Sequence, residues 1–411
     1  MAAVLAVCGA VWLLGSFGGR GLTARALLVG VGALGVVSVW AWSRRRLRRL
    51  GLVLASSLAA LVLLELGLRQ VPGPHQRSDL RALFQADAAL GWRLRPGAEA
   101  TVTSPWEFRT RVRLGARGFR EEEPATPPGR PVVVLGDSFV TNLGVPAEEV
   151  FTRRLAALLG VPVLNRGVDG YGQVQERLLL DEVLREDRPG LVVLVVYLRN
   201  DLDDDLGRLD WLHRYVRPRA HLTAGGRLEL EPQPARPPAA DGLYQRLEDT
   251  CTHRLLRGLL LRARSPLESV PLGDQPFEAR FCRAPLGAAE AEALALAREL
   301  LLSARDACAA ARVPFAVVLA PSAWQADPAL FRELCARVGL READARRDHP
   351  QAPLAAALAA ADVPVLDLLP TLEGQADAYY RWNQHWTLAG NARVAEALAA
   401  WLRERSLVPA R

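Results

Sequence analysis

Val132-Val133-Val134-Leu135-Gly136-Asp137-Ser138-Phe139 is the stretch on which the fold turns. Its four leading apolar residues form a short continuous run, the pattern of a strand buried on both faces of a sheet. The run ends in Gly-Asp-Ser, so Ser138 falls where the chain leaves the strand's carboxyl end and turns toward a helix. A nucleophile belongs at such an edge. As letters alone, Gly-Asp-Ser arises by accident in roughly one chain in ten of this length, and a Ser there can simply cap a turn. Its position directly after a buried strand is what gives it weight.

Outward from this point strands and helices alternate. Pro146 to Leu159 reads as a helix, with Pro early and Glu148 and Glu149 suited to the dipole of the first turn. Pro162 to Leu164 and Leu191 to Leu198 read as strands, with a helix from Val174 to Leu184 between them. Later come a helix from Ala288 to Arg312, a strand from Phe315 to Leu319, helical patches from Pro328 to Leu340 and from Pro353 to Ala361, a strand from Val363 to Leu366, and a closing helix from Leu388 to Arg403. Strands separated by helices predict an α/β fold whose parallel sheet is covered on both faces. In such sheets the chemistry gathers outside the carboxyl ends of the strands.

The chain has 411 residues and is 50% hydrophobic, too apolar to be disordered, and the apolar excess is concentrated near the start. Ala2 to Phe17, Ala26 to Trp42 and Gly51 to Leu68 carry almost no charge over the length a bilayer-crossing helix needs. They predict a three-helix anchor over residues 1–70. Arg44, Arg45, Arg46, Arg48 and Arg49 lie between the second and third runs and mark that loop as cytoplasmic, which places everything after Leu68 on the far side. The expected location is therefore a bacterial inner membrane, multi-pass, with an extracytoplasmic or periplasmic domain. A cleaved signal peptide is the rival reading of the first run alone; it lacks a basic lead and two further spans follow. This stop signal also accounts for the formal charge of +6, and no nucleic-acid partner is expected.

Residues 71–130 read as a juxtamembrane lead-in with short β-like pieces at Thr101 to Thr103 and Thr110 to Leu114. The domain proper runs over 131–411, interrupted at about 202–286 by a Pro-, Arg- and Gly-rich insertion. That insertion is either a cap over the site, with Trp211, Tyr215 and Tyr244 as a sugar-stacking platform, or a surface excursion whose aromatics pack its own small core. The acidic run Asp201, Asp203, Asp204 and Asp205 reads as a solvated loop or helix start, without a metal signature. Gly30 to Gly35 fits a dinucleotide-binding pattern as letters, but small-residue packing inside an apolar helix explains it better. Neither cofactor nor metal is expected. Cys8 falls in the first apolar run, and Cys251, Cys282, Cys308 and Cys335 lack metal or redox spacing; a Cys251–Cys282 disulfide and free buried thiols are both open.

Three further blocks accompany Ser138. Asn165-Arg166-Gly167-Val168-Asp169-Gly170-Tyr171-Gly172 follows the second strand, and its glycines free backbone N–H groups to face a developing oxyanion. Asn200-Asp201 closes the third strand, where an Asn side chain can aim its amide at the same oxygen. Trp382-Asn383-Gln384-His385 precedes the closing helix, and a histidine there has a pKa suited to a general base. Taken singly, each block has a plain reading as a turn or a structural side chain.

The four blocks in this order, over about Pro131 to Leu402, resemble the SGNH (GDSL) hydrolase superfamily. Leu90-Gly91-Trp92 through Arg117-Gly118-Phe119-Arg120 also resembles the lead-in of its membrane-tethered bacterial members. The resemblance implies a three-layer α/β/α sandwich on a five-stranded, flavodoxin-like parallel sheet. It implies Ser138 as nucleophile, His385 as base, and an oxyanion hole of Ser138, Gly170 and Asn200. An acyl-enzyme forms, and water or a sugar hydroxyl accepts the acyl group of an acylated glycan or lipid. The family places an Asp two or three residues before the histidine, where this chain has Trp382 and Asn383. Either Asn383 orients His385 in a weaker triad, or a backbone carbonyl does so in a dyad, or Asp367 or Asp377 folds in. Asn383 also favours the opposing reading, a catalytically impaired module that binds polysaccharide or partners a membrane acyltransferase.

Overall fold

A computed structural model describes residues 45–71, 73, 78–104, 106–120, 129–205, 215–231, 247, 250–262 and 276–409. The chain forms two compact units, Met1–Arg77 with Ala240–Ala263, and Ser78–Ala239 with Arg264–Arg411.

The larger unit opens with two antiparallel pairs, β1 (Phe84–Asp87) with β2 (Gly91–Leu94) and β3 (Glu99–Ser104) with β4 (Phe108–Arg113). Then come β5 (Val132–Gly136), β6 (Val163–Gly167), β7 (Leu191–Tyr197), the hairpin β8 (Arg219–Leu222) and β9 (Leu228–Glu231), and finally β10 (Phe315–Ala320) and β11 (Val365–Asp367). The main helices are α1 (Arg45–Gln70), α2 (Ser138–Thr141), α3 (Phe151–Leu159), α4 (Gln173–Glu186), α5 (Leu198–Asp205), α6 (Cys251–Arg262), α7 (Ala288–Ala310), α8 (Gln351–Ala359) and α9 (Leu388–Glu404).

Five strands make one parallel sheet in the order β11-β10-β7-β5-β6, the flavodoxin-like arrangement. Alternate residues of each strand serve opposite layers. Val133, Leu135, Val192 and Leu194 pack with Leu180 of α4, Leu301 of α7 and Leu358 of α8. Val132, Val134, Val193 and Val195 pack with Leu155 of α3 and Val394 and Leu398 of α9. This is why the strands read as unbroken apolar runs, and the three-layer α/β/α architecture is as the sequence predicts. Chain order reverses beside β5: β6 lies on one side of it and β7 on the other, so the crevice at that switch point opens at the carboxyl ends.

Residues 78–120, which read as a lead-in, contribute Leu83, Phe84, Trp92 and Val112 to the same core as β5 and β7. The insertion divides between the two units. Its hairpin β8–β9 packs against Val174, Leu296 and Leu300, whereas α6 belongs to the smaller unit with α1. Tyr215 sets its ring 6.0 Å from that of Trp92; Trp211, Tyr244, the Gly30 to Gly35 pattern, Cys8 and the first two apolar runs lie outside the described residues. The third apolar run is helical within α1, and Arg49–Gln70 is, by length and a mean hydropathy of 2.1, able to cross a membrane. Cys251, Cys282, Cys308 and Cys335 are buried, and the last three are free thiols, so the Cys251–Cys282 disulfide is not formed.

The acidic run is not solvated. Asp201, Asp203, Asp204 and Asp205 lie in α5 and are buried, with exposures of 0%, 6%, 4% and 3%. Arg280 pairs with Asp203 and Arg217 with Asp204, which the local sequence does not disclose.

Candidate active site

β5 and β6 end side by side, with Gly136 paired to Gly167. Beyond Gly136 the chain turns at once into α2, whose first residue is Ser138. Asp137 caps this turn, its carboxylate accepting the Phe139 N–H at 2.8 Å. Gly167 permits the close approach of α2: a Cβ there would lie 2.5 Å from the Thr141 nitrogen and 2.6 Å from Val140 Cβ. Asn165 ties the two loops together by donating from Nδ2 to the Val140 carbonyl at 2.6 Å. At the other end of α2, buried Arg120 donates to the carbonyls of Thr141, Asn142 and Val145.

His385 reaches this turn from the far end of the chain. Its Nε2 lies 2.7 Å from Ser138 Oγ. Its Nδ1 lies 2.8 Å from Asn383 Oδ1 and 3.1 Å from the Asn383 carbonyl oxygen. Both Asn383 and a backbone carbonyl therefore flank the ring. Asp367 instead accepts the Leu369 N–H, and Asp377 pairs with Arg393. The imidazole stacks on Phe139 with centroids 4.8 Å apart, and the next residue, Trp386, is fully buried.

Burial and the neighbouring Arg199 cation hold the His385 pKa down at about 4, against an opposing hydrogen bond from Asn383. At neutral pH the ring is thus the free base. One ring nitrogen must carry the proton that meets Asn383 oxygens, leaving Nε2 to accept from Ser138. This tautomer follows from the hydrogen-bond partners.

Gly170 adopts a left-handed φ of +77°, a conformation that favours glycine, and is partly exposed, with its carbonyl accepting from Arg217. Its loop is held from the lead-in: Trp92 Nε1 donates to the Asp169 carbonyl at 3.0 Å, and the Tyr171 hydroxyl to the Trp92 carbonyl at 2.6 Å. Asn200 sits next to the nucleophile. Its Nδ2 donates to Asp137 Oδ2 at 3.3 Å, the oxygen that also lies 3.3 Å from Ser138 Oγ, and to Asp204 Oδ2 at 2.9 Å. The structure thus brings Ser138, His385, Asn383 and Asn200 together, with the Asn200 amide engaged by carboxylates.

Those carboxylates form a buried nest under the site. Burial pushes Asp137 up to about 7 and Asp169 and Asp204 up to about 6, while Asp205 reaches about 8. Burial also raises Glu176 and Asp201 well above the carboxylate range, reinforced by the other acids around them. No group of His, Cys, Asp or Glu suited to holding a metal is found among the described residues.

Sequence reasoning passed over three contributors. Asp137 and Arg199 are adjacent to recognised site residues and could have been flagged on that ground. Glu107 carries no such signal: it sits at the turn between β3 and β4, and its carboxylate accepts the N–H groups of Trp382 and Asn383, 275 and 276 residues away.

Residues 288–411 match the family described as SGNH hydrolase-like domain, acetyltransferase AlgX. Among solved structures, the chain is similar to a lipolytic protein of the G-D-S-L family from Desulfitobacterium hafniense, at 11% identity and a TM-score of 0.35, covering 66% of this chain and 99% of that one. It is also similar to the esterase EstA from a Pseudoalteromonas species, at 9% identity and a TM-score of 0.34, covering 67% and 98%. A third is an acetylxylan esterase, Axe2, from Geobacillus stearothermophilus, at 12% identity and a TM-score of 0.33, covering 70% and 100%. A search of curated proteins finds no match. The larger unit is of the doubly wound α/β class, with its candidate site at the carboxyl edge. Over residues 288–411 the chain is thus similar to the SGNH hydrolase-like domain family.

Proposed function

We propose that this chain is a membrane-anchored, extracytoplasmic serine esterase or O-acyltransferase acting on an acylated glycan or lipid. The observation that carries the reading is the 2.7 Å contact of Ser138 Oγ with His385 Nε2, with Asn383 on the other ring nitrogen. His385 takes the hydroxyl proton as Ser138 attacks the ester carbonyl. The tetrahedral intermediate's oxyanion is held by the N–H groups of Ser138 and Gly170 and by the Asn200 amide, and loss of one such donor costs about 100- to 1,000-fold in rate. Collapse expels the alcohol, which takes the proton from His385, and leaves an acyl-Ser138 ester. Water, or a hydroxyl of a second glycan, then attacks with His385 again as base.

Aromatic side chains beside the histidine loop support a glycan substrate. Trp106 is 39% exposed on the β3–β4 turn, next to the residue that grips the loop, and Trp382 is partly exposed within the loop. Such rings stack on sugar faces. The α1 helix supports the anchor, and α6 extends it. Glu65 of α1 accepts N–H groups of Cys251 and Thr252 at the start of α6, whose Leu256, Leu259 and Leu260 are exposed. Spaced at i, i+3 and i+4, these leucines present one apolar face that lies along the lipid surface beside the anchor.

The test uses the full-length protein in detergent with p-nitrophenyl acetate and a fluorophosphonate probe. Hydrolysis and labelling that vanish in Ser138→Ala are expected. A well-folded parent that neither labels nor hydrolyses is instead the impaired binding module that Asn383 favours.

A further inference from the structure

We propose that Glu107 is a positioning residue of this site, holding from the β3–β4 hairpin the loop that presents Asn383 and His385. The proposal rests on the esterase reading above. Glu107 is half-buried. Its Oε1 accepts the Trp382 N–H at 2.7 Å, and its Oε2 accepts the Asn383 N–H at 2.9 Å and the Ser104 hydroxyl at 2.9 Å. Two successive N–H groups on the two oxygens of one carboxylate form a charge-assisted clamp with a defined direction.

The loop needs an outside partner. Residues 380–385 form a tight turn: the Tyr380 N–H donates to the His385 carbonyl at 2.9 Å, the Gln384 N–H to the Tyr380 carbonyl at 3.0 Å, and Gln384 is left-handed at φ +64°. The intervening N–H groups of Trp382 and Asn383 point away from the turn and are the ones Glu107 takes. Holding the Trp382 and Asn383 nitrogens anchors the backbone on the N-terminal side of Asn383, whose carbonyl and Oδ1 both meet His385 Nδ1. Because Asn383 brings no charge to hold the imidazole, ring orientation depends more on where the backbone puts these oxygens than it would with an aspartate.

The hairpin is itself seated on the Ser138 side of the site. Thr110 Oγ1 donates to the Gly144 carbonyl at 2.9 Å, the Tyr380 hydroxyl donates to the same carbonyl at 3.2 Å, and the Phe108 and Tyr380 rings lie 5.0 Å apart. Glu107 thereby ties the two halves of the Ser138–His385 pair to one rigid strand pair. Its contacts run to two backbone N–H groups of the loop and to the Ser104 hydroxyl, not to the imidazole, so it acts on the orientation of the base and not on substrate binding.

The experiment compares full-length parent, Glu107→Gln and Glu107→Ala, with Ser138→Ala as the zero of activity. Gln retains one acceptor oxygen and loses the second. With p-nitrophenyl acetate, kcat is expected to fall about 10-fold in Glu107→Gln and about 100-fold in Glu107→Ala, the scale of a small misplacement of a catalytic group. KM is expected to stay within about twofold, since no substrate contact is removed. Amide hydrogen exchange at Trp382 and Asn383 should quicken in both variants while that of the β7 strand stays unchanged. A kcat within about twofold of the parent in Glu107→Ala, beside an inactive Ser138→Ala, overturns the proposal. Should the parent itself be inert, the esterase reading falls, and the exchange measurement still decides Glu107: unaltered rates at Trp382 and Asn383 sink it.

Discussion

Asn383 is the residue at which this site departs from the superfamily's pattern, and its consequences are measurable. An amide oxygen 2.8 Å from His385 Nδ1 can fix the tautomer but cannot offset the charge of an imidazolium. Hence the ring's pKa is held at about 4, by burial first and Arg199 second. Asn383→Asp supplies the missing charge. It is expected to raise kcat at pH 7 by about 10-fold or more, a fraction of the ~10,000-fold that separates Asp from Asn in a serine triad tuned for Asp. It should also move the acid limb of kcat/KM upward from near pH 4, because a carboxylate favours the charged ring. An unchanged or lower rate would refute Asn383 as the orienting group. Ser138, Asn200 and His385, which the structure brings together, were legible as residues because each falls within a short block at a strand end or helix start. Glu107 was not, since nothing within its own segment refers to a loop 275 residues away.

The strands and helices of the sheet were legible for a similar reason: burial on both faces writes itself into unbroken apolar runs. α5 shows where that logic stops. Leu198-Arg-Asn-Asp-Leu-Asp-Asp-Asp reads as polar and hence as exposed, yet it is buried because cations from distant segments, Arg217 and Arg280, reach it. The result is a set of acids whose protons are retained on folding. Asp137, Asp169, Asp204 and Asp205 titrate at about 7, 6, 6 and 8 in the folded chain against an ordinary 3.8, with burial the main cause. Their stabilising effect is complete below pH ~4 and is lost as pH rises through the folded values. His385 has the opposite sign, favouring the fold increasingly between about pH 4 and its ordinary 6.5. Above 6.5 the imidazole adds nothing further and the acids, joined toward pH 9 by the buried thiols, set the trend, so the melting temperature should fall steadily from pH 6.5 to 9. Glu176→Gln, which removes one buried acid, should flatten that decline. A melting temperature that holds level or climbs over this window contradicts the buried, protonated nest.

At the scale of the whole chain, the insertion between α5 and α7 does not serve a single unit. Its hairpin joins the larger unit while α6 joins α1, so the chain returns to α1 nearly two hundred residues after leaving it. A surface helix with three leucines exposed by 53%, 49% and 58% would be a liability in water. Beside a helix able to span a bilayer, the same face would meet a solvent that suits it, with exposed Arg257 on the same helix as a basic partner for headgroups. Sequence alone reads only the polar average of this insertion, which is why it left a cap over the site and a surface excursion equally open. The two readings separate in proteoliposomes of the full-length protein carrying a nitroxide at Leu259→Cys or, as a control, at Leu230→Cys on the exposed β9 strand. Leu259 should report oxygen in preference to a water-soluble nickel complex, and Leu230 the reverse. If both positions report water, α6 does not rest on lipid.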